Sequence, residues 1–287
     1  MDKFEFICKK KQKLVDFIIS QKPTLNFSIV KTALRKKDIR VNGKKVSQNV
    51  MAMPNDVVEI FLPQKRPKQI EVVFEDQNIL IVNKPAGLET TKKDKAYFES
   101  ECLEELFDGT FACHRLDKNT EGLVVLAKSK KAYYQMQEVI KMQKMHKTYV
   151  TIVTGNAKND GDKLQDYLVK GDGIVKVFAN QVENSKIIKT NYTVLAQQDD
   201  LFLLSVELIT GRTHQIRAHL AFHKIYVLGD QKYGDKTANK KYHAKRQLLC
   251  AQKICFDKLP DIFSGLSGKT FETKPTFSLL DYQNKLW

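Results

Sequence analysis

The chain has 287 residues, 42% of them hydrophobic, and a formal net charge of +15. This length allows two domains and a sizeable core, and this apolar content excludes a disordered chain. Five scattered cysteines without a Cys-x-x-Cys pair exclude a disulfide framework or zinc knuckle and suit a reducing cytoplasm, and no signal-peptide stretch or run of 18 apolar residues marks a membrane protein.

The charge is uneven. Residues 1–66 hold 15 of the 48 Lys/Arg but 6 of the 33 Asp/Glu. A concentrated positive end points to a polyanion, most simply nucleic acid; the competing reading is a lysine-rich, solvated surface. Within it, Leu14, Phe17 and Ile18 fall at helical spacing over 13–21. Asn26 or Ser28 is expected to cap a second helix over about 29–37. Asn42-Gly43 between short β-branched runs predicts a hairpin, and 56–62 a closing strand. Lys31, Arg35, Lys36, Lys37, Arg40, Lys44 and Lys45 fall on the second helix and hairpin, with Lys31 and Arg35 on one helix face. Through LRKKDIRVNGKKV and NDVVEI, residues 1–62 resemble the small alpha-L RNA-binding domain shared by ribosomal protein S-four, tyrosyl-tRNA synthetases and several RNA-modifying enzymes. The resemblance implies that these seven basic residues meet RNA.

Residues 63–69 (PQKRPKQ) read as a linker. From 70 to 287 strand signals dominate, over 72–74, 79–83, 122–127, 147–153, 189–195, 201–208 and 248–256. Ser129 is expected to cap an amphipathic helix over 130–142, and Thr213 a helix over 214–223. The pattern predicts an α+β domain, a largely antiparallel mixed sheet with flanking helices. No dinucleotide fingerprint or P-loop occurs.

Two segments carry the chemistry: HRLDKNTEGLVVL (114–126) and TGRTHQIR (210–217). Together they offer Asp117, two or three guanidiniums and no second acid at catalytic spacing, and no metal set or Ser/Cys–His pair of the usual hydrolytic kind. Asp117 precedes a turn and an apolar run, which places it at the mouth of a cleft. A partly buried carboxylate needs a positive partner, and Arg217 is the candidate for a bidentate pair. Arg115 shares the face of Asp117 if the segment is extended, so its guanidinium can hold a phosphate or fill the stack vacated by a base. Tyr149 alternates with Lys147 and Thr151 onto one strand face and offers a flat ring for stacking on a base. Taken alone, these features also read as a salt bridge, a capped helix and a core tyrosine. Of His214, His219 and His223 only the last two keep an i, i+4 spacing. They read as structural or phosphate-facing, with no metal expected.

At these residues the chain resembles the pseudouridine synthases of the RluA/RluD-like branch. The matching pieces are ILIVNKPAGL (79–88), HRLDKNTEGLVVLAKS (114–129), KTYVTIVTG (147–155) and TGRTHQIRAHLAFHKIYVLGDQKYG (210–234), in the family's order. The resemblance implies isomerisation of selected uridines in structured RNA, with Asp117 as the catalytic group. It implies that Tyr149 stacks on the target base, that Arg217 pairs with the aspartate, and that Arg115 assists flipping. No atom is gained or lost, so no cofactor is required. The aspartate acts as a nucleophile on the sugar or as a base; the sequence leaves both open. Large-subunit (23S) rRNA is the first expected target and tRNA the second, for a cytoplasmic monomer with no membrane partner. Glu121 stands where the family has Ser, ETTKKDKAY lacks the customary His-Pro, and Cys250 replaces a common His. Two other readings fit these residues: a non-catalytic RNA-binding or ribosome-assembly factor of the same fold, and a nucleosidase using Glu121 as its second acid.

Overall fold

The computed structural model describes residues 2–282 apart from 24, 26, 63–69, 92–101 and 159. The expected linker and the Asn26 cap lie outside the described residues. The chain divides into two compact units, residues 1–69 and residues 70–287, the stretch 93–100 aside.

The first unit contains β1 (Asp2–Ile7), β2 (Gln12–Lys13), α1 (Leu14–Gln21), α2 (Phe27–Arg35), β3 (Ile39–Val41), β4 (Lys44–Val46), β5 (Met51–Ala52) and β6 (Val57–Leu62). Its four-stranded sheet runs β1-β6-β3-β4. Leu14, Phe17 and Ile18 of α1 and Val30 and Leu34 of α2 pack with Ile39, Val58 and Ile60 of the sheet. The β3–β4 hairpin turns on Asn42 and Gly43, both at positive φ (51° and 75°), as a type I′ turn requires. α2 begins at Phe27, so Ser28 lies inside the helix and is not its cap.

The second unit begins with β7 (Glu71–Glu75), β8 (Ile79–Lys84), α3 (Leu103–Leu106), β9 (Phe111–Ala112), β10 (Glu121–Ala127), α4 (Lys130–Lys141) and β11 (Met145–Gly155). It continues through β12 (Asp162–Lys170), β13 (Val175–Phe178), β14 (Lys186–Gln198), β15 (Leu201–Leu208) and α5 (Gln215–Phe222). It closes with β16 (Ile225–Val227), α6 (Lys236–Lys241), β17 (Leu249–Phe256) and β18 (Thr270–Glu272). A 12-stranded mixed sheet runs β13-β12-β14-β15-β11-β17-β10-β8-β7, with β9, β16 and β18 alongside. No described helix is long and apolar enough to cross a membrane.

β8 and β10 are buried on both faces, which is why their sequences are nearly unbroken apolar runs. One face carries Leu80, Val82, Val124, Leu126 and Tyr149 under Ile216 and Leu220 of α5. The other carries Ile79, Ile81, Leu123 and Val125 under Ala132, Met136 and Val139 of α4. Ser129 caps α4, its Oγ accepting from the Ala132 N–H at 3.1 Å. Thr213 does not cap α5. That place is taken by His214, with φ 53° and no side-chain cap bond. Gln215 ties the helix start instead, its Oε1 accepting from the Arg212 N–H (3.0 Å) and Thr210 Oγ1 (2.8 Å).

The described strand pairings within this sheet are antiparallel except β10 with β17, which meet in parallel through Glu121↔Cys250 and Gly122↔Ala251. This junction joins the half that leads from Asp117 to the half that carries Tyr149. Gly122 permits it: its φ is +114°, and a Cβ there would stand 2.3 Å from the Ala251 carbonyl oxygen. Gly122→Ala is therefore expected to cost more than about 3 kcal/mol in urea unfolding. Gly173→Ala, at φ +72° but facing open space, is expected to cost about 1–2 kcal/mol. Equal losses would show that the close approach at Gly122 contributes nothing.

Candidate active site

The site is built around the loop between β9 and β10. His114 Nε2 accepts from the Val125 N–H at 3.2 Å, which ties the loop to β10. Burial, with the charge of Lys147, pulls the His114 pKa down to about 3, so the ring is neutral. The turn after Asp117 closes by Thr120 N–H donating to the Asp117 carbonyl at 3.0 Å. The KPAGL segment supports it from below. Lys84 is 0% exposed, and its Nζ donates to the carbonyls of Pro85 (3.0 Å), Leu88 (2.8 Å) and Lys118 (3.3 Å). Thr90 bonds both the N–H and the carbonyl of Leu116. Lys84 and Thr90 thus fix the backbone on either side of one carboxylate, across 34 and 26 residues of sequence.

Arg217 reaches Asp117 from α5, its Nη1 donating to Oδ2 at 2.7 Å. The expected pairing is present, but the forked contact goes elsewhere. Arg217 Nε and Nη2 donate to the two oxygens of Asp230, at 2.6 and 2.8 Å. Asp230 is 1% exposed and also accepts from the N–H groups of Lys232 and Tyr233. Burial alone would raise its pKa; the Arg217 hydrogen bonds and charge outweigh that and hold it below the usual carboxylate range. The planar guanidinium thus spends two donors on Asp230 and one on Asp117. A forked donor set larger than one carboxylate can satisfy is the signal that a second acid was needed.

Asp117 Oδ1 accepts no hydrogen bond among the described residues, and the half-buried Asp117 lines an open cleft of about 880 Å³. His214 Nε2 stands 3.9 Å from it. His214 Nδ1 lies 2.9 Å from Tyr233 Oη, and Tyr233 Oη accepts from the Val175 N–H at 2.9 Å. Tyr149 lines the cleft at 4% exposure. Burial and the Asp117 charge push its phenol well above its ordinary value, so it is neutral. Lys147, on the same face, also lines the cleft, and burial lowers its pKa. Thr151 does not reach the cleft wall; its hydroxyl donates to the Leu248 carbonyl at 2.7 Å. Arg115 is exposed at the cleft wall. Arg115, Lys141, Lys147, Arg212 and Arg217 against Asp117 and Glu207 make the lining basic.

Glu121 is turned away from solvent and from the cleft. It is 4% exposed and accepts from the N–H and hydroxyl of Thr276, both at 2.7 Å, with Arg246 at 3.1 Å. It pins the C-terminal segment to the sheet, outside the cleft. Cys250 is buried beside it, and burial pushes the thiol up to about 12. His219 and His223 both meet Oδ2 of Asp166, at 3.0 and 2.6 Å. These three are the one His/Cys/Asp/Glu group among the described residues that is close enough to share an ion, but they satisfy one another as hydrogen-bond partners. Of the basic set in the first unit, Lys31 and Arg35 lie on α2, and Lys36 and Lys37 follow it directly. Arg40 and Lys45 are cross-strand neighbours next to Lys44. All are exposed except Arg40, which lies 4.9 Å over the Phe61 ring.

Residues 78–222, which hold Asp117, Tyr149 and Arg217, match the family described as RNA pseudouridylate synthase. The chain belongs to the RNA pseudouridylate synthase family. This synthase is 33% identical over 254 residues to an uncharacterized RNA pseudouridine synthase of Mycoplasma pneumoniae, covering 81% of each chain. It is 28% identical over 262 residues to the ribosomal large subunit pseudouridine synthase C of Rickettsia felis, covering 82% of this chain and 85% of that one. Human RNA pseudouridylate synthase domain containing 4 shares the fold, with a TM-score of 0.59 at 24% identity over 75% of this chain and 92% of that one. The synthase is thus an isomerase acting on RNA.

Asp230→Asn is expected to destabilise the synthase by about 3 kcal/mol at pH 7, because it leaves a buried guanidinium short of charge. A depressed carboxylate pKa stabilises above the unfolded value of about 3.9, and that contribution fades as pH falls toward the folded value. The gap between wild type and Asp230→Asn in urea unfolding should therefore narrow below about pH 4. A gap that widens on acidification would contradict an ionised Asp230.

Proposed function

We propose that the synthase converts uridines of large-subunit rRNA to pseudouridine, with Asp117 as the catalytic residue. One observation carries this reading. Arg217 holds one oxygen of Asp117 while the other opens on a basic cleft beside the ring of Tyr149. The reaction breaks the bond between the sugar and a ring nitrogen, turns the uracil, and rejoins it through a ring carbon. Asp117 serves as a nucleophile toward the sugar or as the base that takes a sugar proton. The neutral Tyr149 ring gives the extruded base a surface to stack on. Arg115, exposed at the cleft wall, is placed to fill the vacated stack or hold a phosphate. Isomerisation needs no cofactor.

The target class draws on the relatives named as large-subunit enzymes. We read residues 1–62 as an alpha-L-like RNA-binding domain, 63–69 as a linker and 70–287 as the catalytic domain. In the first, Lys31, Arg35, Lys36, Lys37, Arg40, Lys44 and Lys45 neutralise backbone phosphates. Five free cysteines fit a cytoplasmic enzyme, taken here as a monomer. A nucleosidase would need a second acid to activate water, and Glu121 is committed to Thr276 and Arg246 instead.

The test is tritium release from ring-labelled uridine in rRNA and tRNA pools, followed by mapping of the modified site. Wild type should act on large-subunit rRNA. Asp117→Ala should lose at least about a thousandfold in kcat while binding RNA within about twofold. Asp230 keeps Arg217 in place in that variant, so the loss reports chemistry and not collapse. No release from either pool by wild type would overturn the activity; release from tRNA alone would overturn the target.

A further inference from the structure

The cleft holds a second group aimed at Asp117 that the proposal above leaves unused. His214 precedes α5 with its backbone in the left-handed region, φ 53°. That conformation is uncommon outside glycine, although histidine is one of the residue types that tolerate it. Here Tyr233 holds the ring. Val175 N–H donates to Tyr233 Oη, so the hydroxyl proton is free to go to His214 Nδ1, 2.9 Å away. With Nδ1 accepting, the ring proton sits on Nε2. Burial keeps the imidazole neutral; Arg217 and Lys232 add to this against the pull of Asp117.

Nε2 lies 3.9 Å from Asp117 Oδ1, the oxygen that Arg217 leaves open. That is too long for a hydrogen bond. That spacing admits a shared third atom, since one oxygen about 2.7–2.9 Å from each completes two bonds at roughly a right angle. The shared atom must accept from Nε2–H and donate to a carboxylate. A hydroxyl does both; a phosphate oxygen, an ether oxygen or a C–H does not. On a uridine whose sugar is presented to Asp117, the hydroxyl next to the reacting carbon is the 2′-OH, the group that separates RNA from DNA.

We propose that His214 Nε2 and Asp117 Oδ1 clamp the 2′-hydroxyl of the target uridine, so that the site itself reads ribose at the nucleotide it modifies. His214 is then a substrate-binding residue, and Tyr233 a positioning residue that sets its tautomer. The inference rests on Asp117 being the carboxylate that meets the sugar.

The experiment uses two synthetic RNAs spanning the uridine mapped by the tritium assay, one all-ribose and one with a single 2′-deoxyuridine at that position. Wild type should convert the ribose form with kcat/KM about 10- to 100-fold higher. His214→Phe keeps a ring of similar size without either nitrogen. It should lose a similar factor on the ribose form and retain a preference of no more than about threefold. His214→Gln, which restores an N–H donor, should recover part of the preference. Tyr233→Phe should weaken it without contacting substrate. The proposal is overturned if His214→Phe, or His214→Gln and Tyr233→Phe where His214→Phe does not fold, slows both RNAs by one factor and keeps the full preference. A wild type that converts both RNAs equally, as it would if water fills the gap, overturns it too. Conversion of the ribose form by Asp117→Ala would overturn the catalytic assignment instead.

Discussion

The site depends on a buried ion pair that does no chemistry. Arg217 and Asp230 meet through two parallel hydrogen bonds inside the sheet-and-helix core. Desolvating both charges takes back much of what their attraction gives, so such a pair is a poor source of stability. It is a good source of placement. The fork fixes the guanidinium plane, and the remaining nitrogen can then reach Asp117 from one direction. Two carboxylates share one arginine with divided work: the sealed one orients, and the one at the cleft keeps an oxygen free.

The backbone answers the same need. Asp117 sits in a loop, where few ladder bonds fix its position. Residues 84–90 compensate, with the Lys84 ammonium gathering three carbonyls and Thr90 bracketing Leu116. A lysine with no exposed surface is costly unless its donors are satisfied, and here the donors are spent on loop geometry. The strand that follows the loop then meets β17 at Gly122, which brings the loop to the half of the sheet that carries Tyr149.

Much of this was legible in the sequence, and what was not has physical reasons. The long apolar strands, the Asn42-Gly43 turn and the Ser129 cap follow from local chemistry and stand in the structure within a few residues. The pairing of Asp117 with Arg217 followed from the need of a half-buried carboxylate for a cation. Asp230 was hidden because a buried acid in a polar stretch looks like a loop residue. β12 was hidden for a related reason: Asp166 stands on its inward face, bonded to two histidines, and breaks the apolar alternation. Thr213 looked like a cap because the residue type fits. Gln215 took over the start of α5, through contacts to Thr210, Arg212 and Lys189 that local propensity does not encode.

The parallel contact between β10 and β17 has a mechanical consequence. Among the described residues the two strands of this junction pair through two residues each, while their neighbours are joined by long antiparallel ladders. On warming, such a seam is expected to part before either half unravels. The loop of Asp117 and Tyr149 belong to opposite sides of it, so thermal inactivation of this synthase should run ahead of the loss of its strand signal in circular dichroism.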